Sequence, residues 1–119
     1  MLNVGVNQVV MVEQGTYGTI QHPGRERQQM IAAMEEVLRL APYEGVTLTA
    51  DDLKEDLALV DRLSPEGMPS MRQDGLAKRP SEVELFSGTV LRLAEKHGLE
   101  TPVNRELYQK ICEMERGYG

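Results

Sequence analysis

Apolar residues recur at helical spacing along most of the chain. Leu2, Val6, Val9 and Val10, with Glu13 in the same register, predict a helix from residue 1 to about 14. No capping residue or proline precedes it, as in a helix cut in its first turns. Met30, Ile31, Met34, Val37, Leu38 and Ala41 form an apolar stripe on a helix from Gly24 to Ala41. Thr49-Ala50-Asp51-Asp52 opens a third helix running to about Leu63. Leu53, Leu57, Val60 and Leu63 point inward there, and Lys54, Glu55, Asp56, Asp61 and Arg62 make its solvated face. Val83, Phe86, Val90, Leu93 and Ala94 predict a helix beginning at Ser81, where Ser81 and Glu84 make a capping box. That helix stops at Gly98, a position suited to a left-handed cap, with His97 in the last turn at the negative end of the dipole. Thr101-Pro102-Val103-Asn104 begins a final helix, with Asn104 read as its cap and Leu107, Tyr108, Ile111, Cys112 and Met114 on its apolar side. Gly15-Thr16-Tyr17-Gly18 reads as a turn, His22-Pro23-Gly24 as a break, Val46-Thr47-Leu48 as an extended link and Ser64-Pro65-Glu66-Gly67 as a helix stop. Six or seven helices with short links and no convincing strand predict an all-α helical bundle.

Composition narrows the function classes. At 119 residues the chain is one domain with room for one core, built from Leu, Val, Ile, Met and Ala because there is no Trp and one Phe. A net charge of −6 argues against nucleic acid, whose phosphates call for a basic patch. No apolar run approaches the roughly 20 residues of a membrane-spanning helix. The start has no basic segment or cleavage site of a secretory signal. One cysteine forms no internal disulfide, so a reducing cytoplasm is the expected setting.

Candidate chemistry sits at helix openings. Asn3 and Asn7 are four apart and share one helix face. They are either solvated polar residues or a pair set to hydrogen-bond a ligand, since asparagine within a helix is mildly unfavourable. Glu82 is either a first-turn acid placed for the helix dipole or a carboxylate aimed into a cleft, where it could meet ribose hydroxyls or an amine. Ser70 reads as a helix cap and Asp74, one turn later, as a solvated acid. Met30 and Met34 read as core filler rather than a soft binding surface. His22 reads as a turn residue, with no second His or Cys at metal spacing, so no metal site is expected. Cys112, beside Ile111 on an apolar face, reads as buried and inert.

Several of these residues, in order, resemble the C-terminal domain of the ketopantoate reductase (2-dehydropantoate 2-reductase) family. They are Pro69-Ser70-Met71, Gln73-Asp74, Lys78-Arg79, Ser81-Glu82-Val83-Glu84, Gly88, Gly98 and Thr101-Pro102-Val103-Asn104, with Leu107-Tyr108 following. At the other end Asn3-Val4-Gly5-Val6-Asn7 resembles the family helix Lys-x-x-x-Asn-x-x-x-Asn, entered after its lysine. The resemblance spans nearly the whole chain. It implies the helical C-terminal fold shared with the 6-phosphogluconate dehydrogenase superfamily.

It also implies a cleft between this domain and an NADP-binding Rossmann domain. No Gly-x-Gly-x-x-Gly arrangement occurs here; Gly15, Gly18 and Gly24 are spaced otherwise. In the implied reaction, NADPH reduces the keto group of 2-dehydropantoate, in pantothenate and coenzyme A biosynthesis. The family's lysine is the proton donor, and its position falls before Met1. Asn3, Asn7 and Ser70 match substrate-holding positions. Glu82 matches a residue that contacts the cofactor ribose and helps fix the lysine, and Asp74 stands behind Ser70. Pro69 departs from the Ser or Asn that many members carry there, and a further pocket Asn is replaced near Tyr17, so a related 2-keto acid is an alternative substrate. The chain by itself is expected to be inactive, to bind no cofactor, and to cover its exposed interdomain face and uncapped first helix by forming a homodimer through that helix. From a different class, the alternative is a free-standing helical interaction module.

Overall fold

The computed structural model describes residues 2–78 and 84–117, with the side chains at positions 3, 70, 84 and 85 excepted. All regular structure among them is helical. Seven α-helices follow in order: α1 (Leu2–Val12), α2 (Tyr17–Gln21), α3 (Arg25–Leu40), α4 (Ala50–Asp61), α5 (Ser70–Leu76), α6 (Thr89–His97) and α7 (Pro102–Arg116). A 3-10 turn, Ala41–Glu44, prolongs α3, and a π-helical turn, Glu84–Gly88, leads into α6.

Helix α1 is the axis of the domain. Its residues enter all three apolar clusters: Val6, Val9 and Val10 pack with Ile20, Met30, Met34, Val60 and Leu107. Val4 packs with Leu40, Val90 and Ala94. Met11 packs with Met71 and Ile111. A helix that is apolar nearly all round is one that other helices surround. Each fully buried Val or Met contributes about 1.5–3 kcal/mol relative to exposure. Glu13 is exposed, because the helix ends at Val12 and Gln14 turns out of it with a φ of 53°.

Several predicted ends are confirmed at atomic detail. Thr49 and Asp52 form the capping box of α4: Asp52 N–H donates to Thr49 Oγ1 at 3.3 Å, and Thr49 N–H donates to Asp52 Oδ2 at 2.8 Å. Gly98 adopts φ 67° at the end of α6, and Leu99 N–H closes onto the Ala94 carbonyl at 2.8 Å.

Other expectations need correction. Tyr17 and Gly18 open helix α2 and Thr16 is its extended N-cap, so the turn lies earlier, at Glu13-Gln14. Ser70 is the first residue of α5 and extended Pro69 holds the N-cap position, because proline's fixed φ suits a helix entry. The helix expected from Ser81 is not a single α-helix: residues 84–88 are π-helical, and the α-helix begins at Thr89. Ser81 and Val83 lie outside the described residues. Asn104 is no cap. Thr101 holds that position, and Asn104 is buried at the third residue of α7, where a carboxylate from α3 occupies the capping role. Cys112 is half-buried against the Met11, Met71 and Ile111 cluster rather than fully enclosed.

Candidate functional site

The placement of α1 fixes the site. Gly5 faces α3 so closely that a Cβ there would lie 2.6 Å from Met34 Cγ and 2.9 Å from the Met30 carbonyl oxygen. At 3.6 residues per turn, positions 3 and 7 lie about 160° around the helix from Gly5. Asn7 therefore points away from α3. Asn7 is half-buried there, on a helix whose neighbours Val6, Gln8, Val9 and Val10 are buried.

Helix α5 is pinned beside it by Met71, which is buried with Met11 and Ile111. Ser70 opens α5, and Asp74, four residues on, is half-buried. The loop entering α5 is fastened from α2. Tyr17 N–H donates to the Gly67 carbonyl and Gly18 N–H to the Pro65 carbonyl, both at 2.9 Å. These are first-turn amides, which have no partner within their own helix. Gly67 lets the Tyr17 ring close over it: a Cβ there would come within 3.0 Å of the ring.

The π-helical turn reaches α1 through Gln8, which is completely buried. Gln8 Nε2 donates to the Val4 carbonyl at 2.7 Å, and its Oε1 accepts from Ser87 N–H at 3.2 Å. Thus α1, which carries Asn3 and Asn7, packs against both α5, which carries Ser70 and Asp74, and the turn that follows Glu82 in sequence. Glu82 itself lies outside the described residues.

Sequence reasoning missed Gln8 and Glu36. Each sits in an apolar stripe, Gln8 between Val4 and Met11 and Glu36 between Ala33 and Leu40, and that interruption was the available signal. Glu36 is buried. Its Oε2 accepts from Val103 N–H at 2.8 Å, and its Oε1 accepts from Asn104 N–H at 2.9 Å and Asn104 Nδ2 at 2.7 Å.

Elsewhere, Glu44 Oε2 lies 2.6 Å from His97 Nε2 and 3.3 Å from Lys96 Nζ. The His97 hydrogen bond, then that of Lys96, holds the Glu44 carboxyl below its ordinary 4.5. Next to it is an open apolar recess of about 290 Å³, walled by Val4, Leu40, Phe86 and Leu93 among others, and neither Asn7 nor Asp74 is among the described residues that line it. Among the described residues no group of three or more His, Cys, Asp or Glu side chains is placed to hold a metal. No described helix is long and apolar enough to cross a membrane. The glycines with positive φ, Gly24, Gly45 and Gly98, sit at three separate helix ends. They do not form the single glycine-rich loop before a helix that cradles a dinucleotide phosphate.

Residues 1–115 match the family model described as ketopantoate reductase PanE/ApbA C terminal. A 2-dehydropantoate 2-reductase of Vibrio cholerae is 30% identical over 99% of this chain, which covers 40% of that protein. The chain thus spans about two fifths of that relative's length. A dimeric ketopantoate reductase of Staphylococcus aureus superposes with a TM-score of 0.91 at 23% identity, covering 99% of this chain and 41% of that one. A D-mandelate dehydrogenase solved with NADH and anilino(oxo)acetate superposes with a TM-score of 0.86 at 20% identity, over 98% of this chain and 49% of that one. These last two show a shared fold.

Proposed function

This chain belongs to the ketopantoate reductase family, of which it matches the C-terminal domain, and from that premise we propose that it is the substrate-holding half of an NADPH-dependent 2-dehydropantoate 2-reductase. The observation that carries the reading is the packing of both α5, with Ser70 and Asp74, and the turn after Glu82 against α1, which bears Asn3 and Asn7. A ketone under reduction gathers negative charge on oxygen, which oriented amide donors stabilise. Asn7, half-exposed on a rigid buried helix, is such a donor, and Asn3 one turn earlier is its neighbour. The Ser70 end of α5 receives the substrate carboxylate and hydroxyl, with Asp74 steadying that turn, and Glu82 meets the cofactor ribose. NADP(H), held by the parent's other domain, supplies the hydride. The described residues form no dinucleotide cradle of their own, and the chain spans about two fifths of its Vibrio cholerae relative. The 119 residues alone are proposed to be inactive.

The parent is proposed to work in the cytoplasm, in pantothenate biosynthesis, as a homodimer like its Staphylococcus aureus relative; sedimentation of the parent at micromolar concentration tests the dimer. The deciding assay follows NADPH oxidation with 2-dehydropantoate by the polypeptide lengthened upstream to the size of its relatives. Turnover that falls on Asn7→Ala supports the reading. Turnover only with another 2-keto acid keeps the mechanism and changes the substrate, a reading favoured by the fold shared with D-mandelate dehydrogenase. A folded, NADPH-binding parent with no turnover would favour a helical interaction module.

A further inference from the structure

We propose that Gln8 is a positioning residue, which locks the π-helical turn following Glu82 onto the helix that carries Asn3 and Asn7. The proposal rests on the substrate-holding reading above and adds to it a part that holds two pieces of the site in register.

Gln8 is 0% exposed and flanked by buried Val4, Val6, Val9, Val10 and Met11. A leucine or methionine would fill such a place with no polar group to satisfy. A buried amide is costly unless hydrogen-bonded, and its net contribution to stability is small even when it is. Both of its polar atoms are used here. Nε2 donates back to the Val4 carbonyl, which fixes the side chain against its own helix. Oε1 then has one orientation, and it accepts from Ser87 N–H across 79 residues of sequence. The donor is a backbone amide, so the bond reads the position of the turn itself and not the identity of its side chain. Ser87 Oγ is buried without a partner among the described residues and takes no part.

The location gives the bond its consequence. A π-helical turn holds one more residue than an α-turn and shifts the chain before it relative to the helix behind it. The turn begins at Glu84, two residues after Glu82. Asn7 is the residue next to Gln8. One side chain therefore joins the register of the π-turn to the helix of the asparagine face. Removing it leaves both helices in place through Val4, Val90 and Ala94, while freeing the turn to slip.

The test uses the parent polypeptide. Gln8→Met keeps the volume and the apolar fit but cannot accept from Ser87 N–H. For Gln8→Met we expect kcat to fall by at least about tenfold, the scale of a small misplacement of reacting groups, with the keto-acid KM and the NADPH KM both raised. A folded Gln8→Met enzyme whose kcat and keto-acid KM stay within about twofold of wild type overturns the proposal, since a merely structural glutamine lowers only the melting temperature. A second measurement needs no variant: an NMR coupling through the hydrogen bond, between Ser87 N and Gln8 Cδ. Its presence is expected, and its absence overturns the proposal even where Gln8→Met does not fold. Wild-type parent that reduces no keto acid overturns the substrate-holding reading. Gln8 is then judged by that coupling together with the Asn7 side-chain amide resonance, which must move in Gln8→Met.

Discussion

Helix α3 is held on its two sides by opposite means. Toward α1 it is held by an absence: Gly5 has no Cβ, and Met34 Cγ and the Met30 carbonyl occupy the space one would need. Toward α7 it is held by a charge: Glu36 accepts from two first-turn amides of α7 and from the Asn104 side chain. The first contact is a fit of apolar atoms, and methionine can adjust to errors in it. The second is directional. A carboxylate at the positive end of a 15-residue helix satisfies amides that have no partner within the helix. Only another acceptor can replace it. Apolar fit sets how close two helices come, and the buried polar contact sets which turn of one meets which turn of the other.

The largest expected effect therefore falls on the charged side. Glu36→Ala leaves three donors facing a pocket shaped for an acceptor. Unpaired buried groups cost about 1–3 kcal/mol each, so a loss of about 3 kcal/mol or more is expected, read from the midpoint of chemical unfolding. Glu36→Gln keeps one acceptor oxygen and should lose less than half of that. Equal losses from Ala and Gln would mean that packing, not acceptance, holds α7. Gly5→Ala comes next. Overpacking costs about 1–3 kcal/mol, and alanine's better helix propensity returns about 1 kcal/mol, for a net loss of up to about 2 kcal/mol. A gain would show that α1 and α3 are less closely set than Gly5 indicates.

These two sides also mark what was legible in the sequence. The apolar side was readable because helical periodicity is a repeating signal: Met30 and Met34, and Val6, Val9 and Val10, are fully or almost fully buried as their spacing predicts. Helix ends were readable where the chemistry is local, as at Thr49 with Asp52 and at Gly98. Glu36 and Gln8 were not, because each answers a donor more than sixty residues away, and no local pattern distinguishes such a residue from a solvated one. Asn104 was misread as a cap for the same reason: its cap arrives from another helix. The π-turn was hidden because Val83, Phe86 and Val90 fit an α-helical period well enough that one extra residue does not show. The candidate site was legible as segments, through the resemblance, but the helix on which they converge was not.

Ser87→Ala probes a group that takes part in neither kind of contact. Its hydroxyl is buried and unpartnered among the described residues, while the bond to Gln8 uses its backbone amide. Losing an unsatisfied hydroxyl should leave stability unchanged or raise it by up to about 1 kcal/mol in thermal unfolding. A clear loss would mean that the hydroxyl has found a partner, such as an ordered water.

The smallest effect is expected at the other glutamate near the end of α3. Glu44 also bridges to a later helix, through His97 and Lys96, but from the surface. Those partners hold its carboxyl below the ordinary 4.5 in the folded chain, His97 first and Lys96 next. The folded protein therefore binds the Glu44 proton less readily than the unfolded chain. Stability from this group is present above 4.5 and is lost as pH falls below that value through the lowered one. The melting temperature of wild type should exceed that of Glu44→Gln slightly at neutral pH, and the gap should close toward pH 3 and shrink in added salt. A gap as large as that between wild type and Glu36→Gln would break the comparison, because an exposed acid in water should not do the work of a buried one whose every oxygen is committed to a donor.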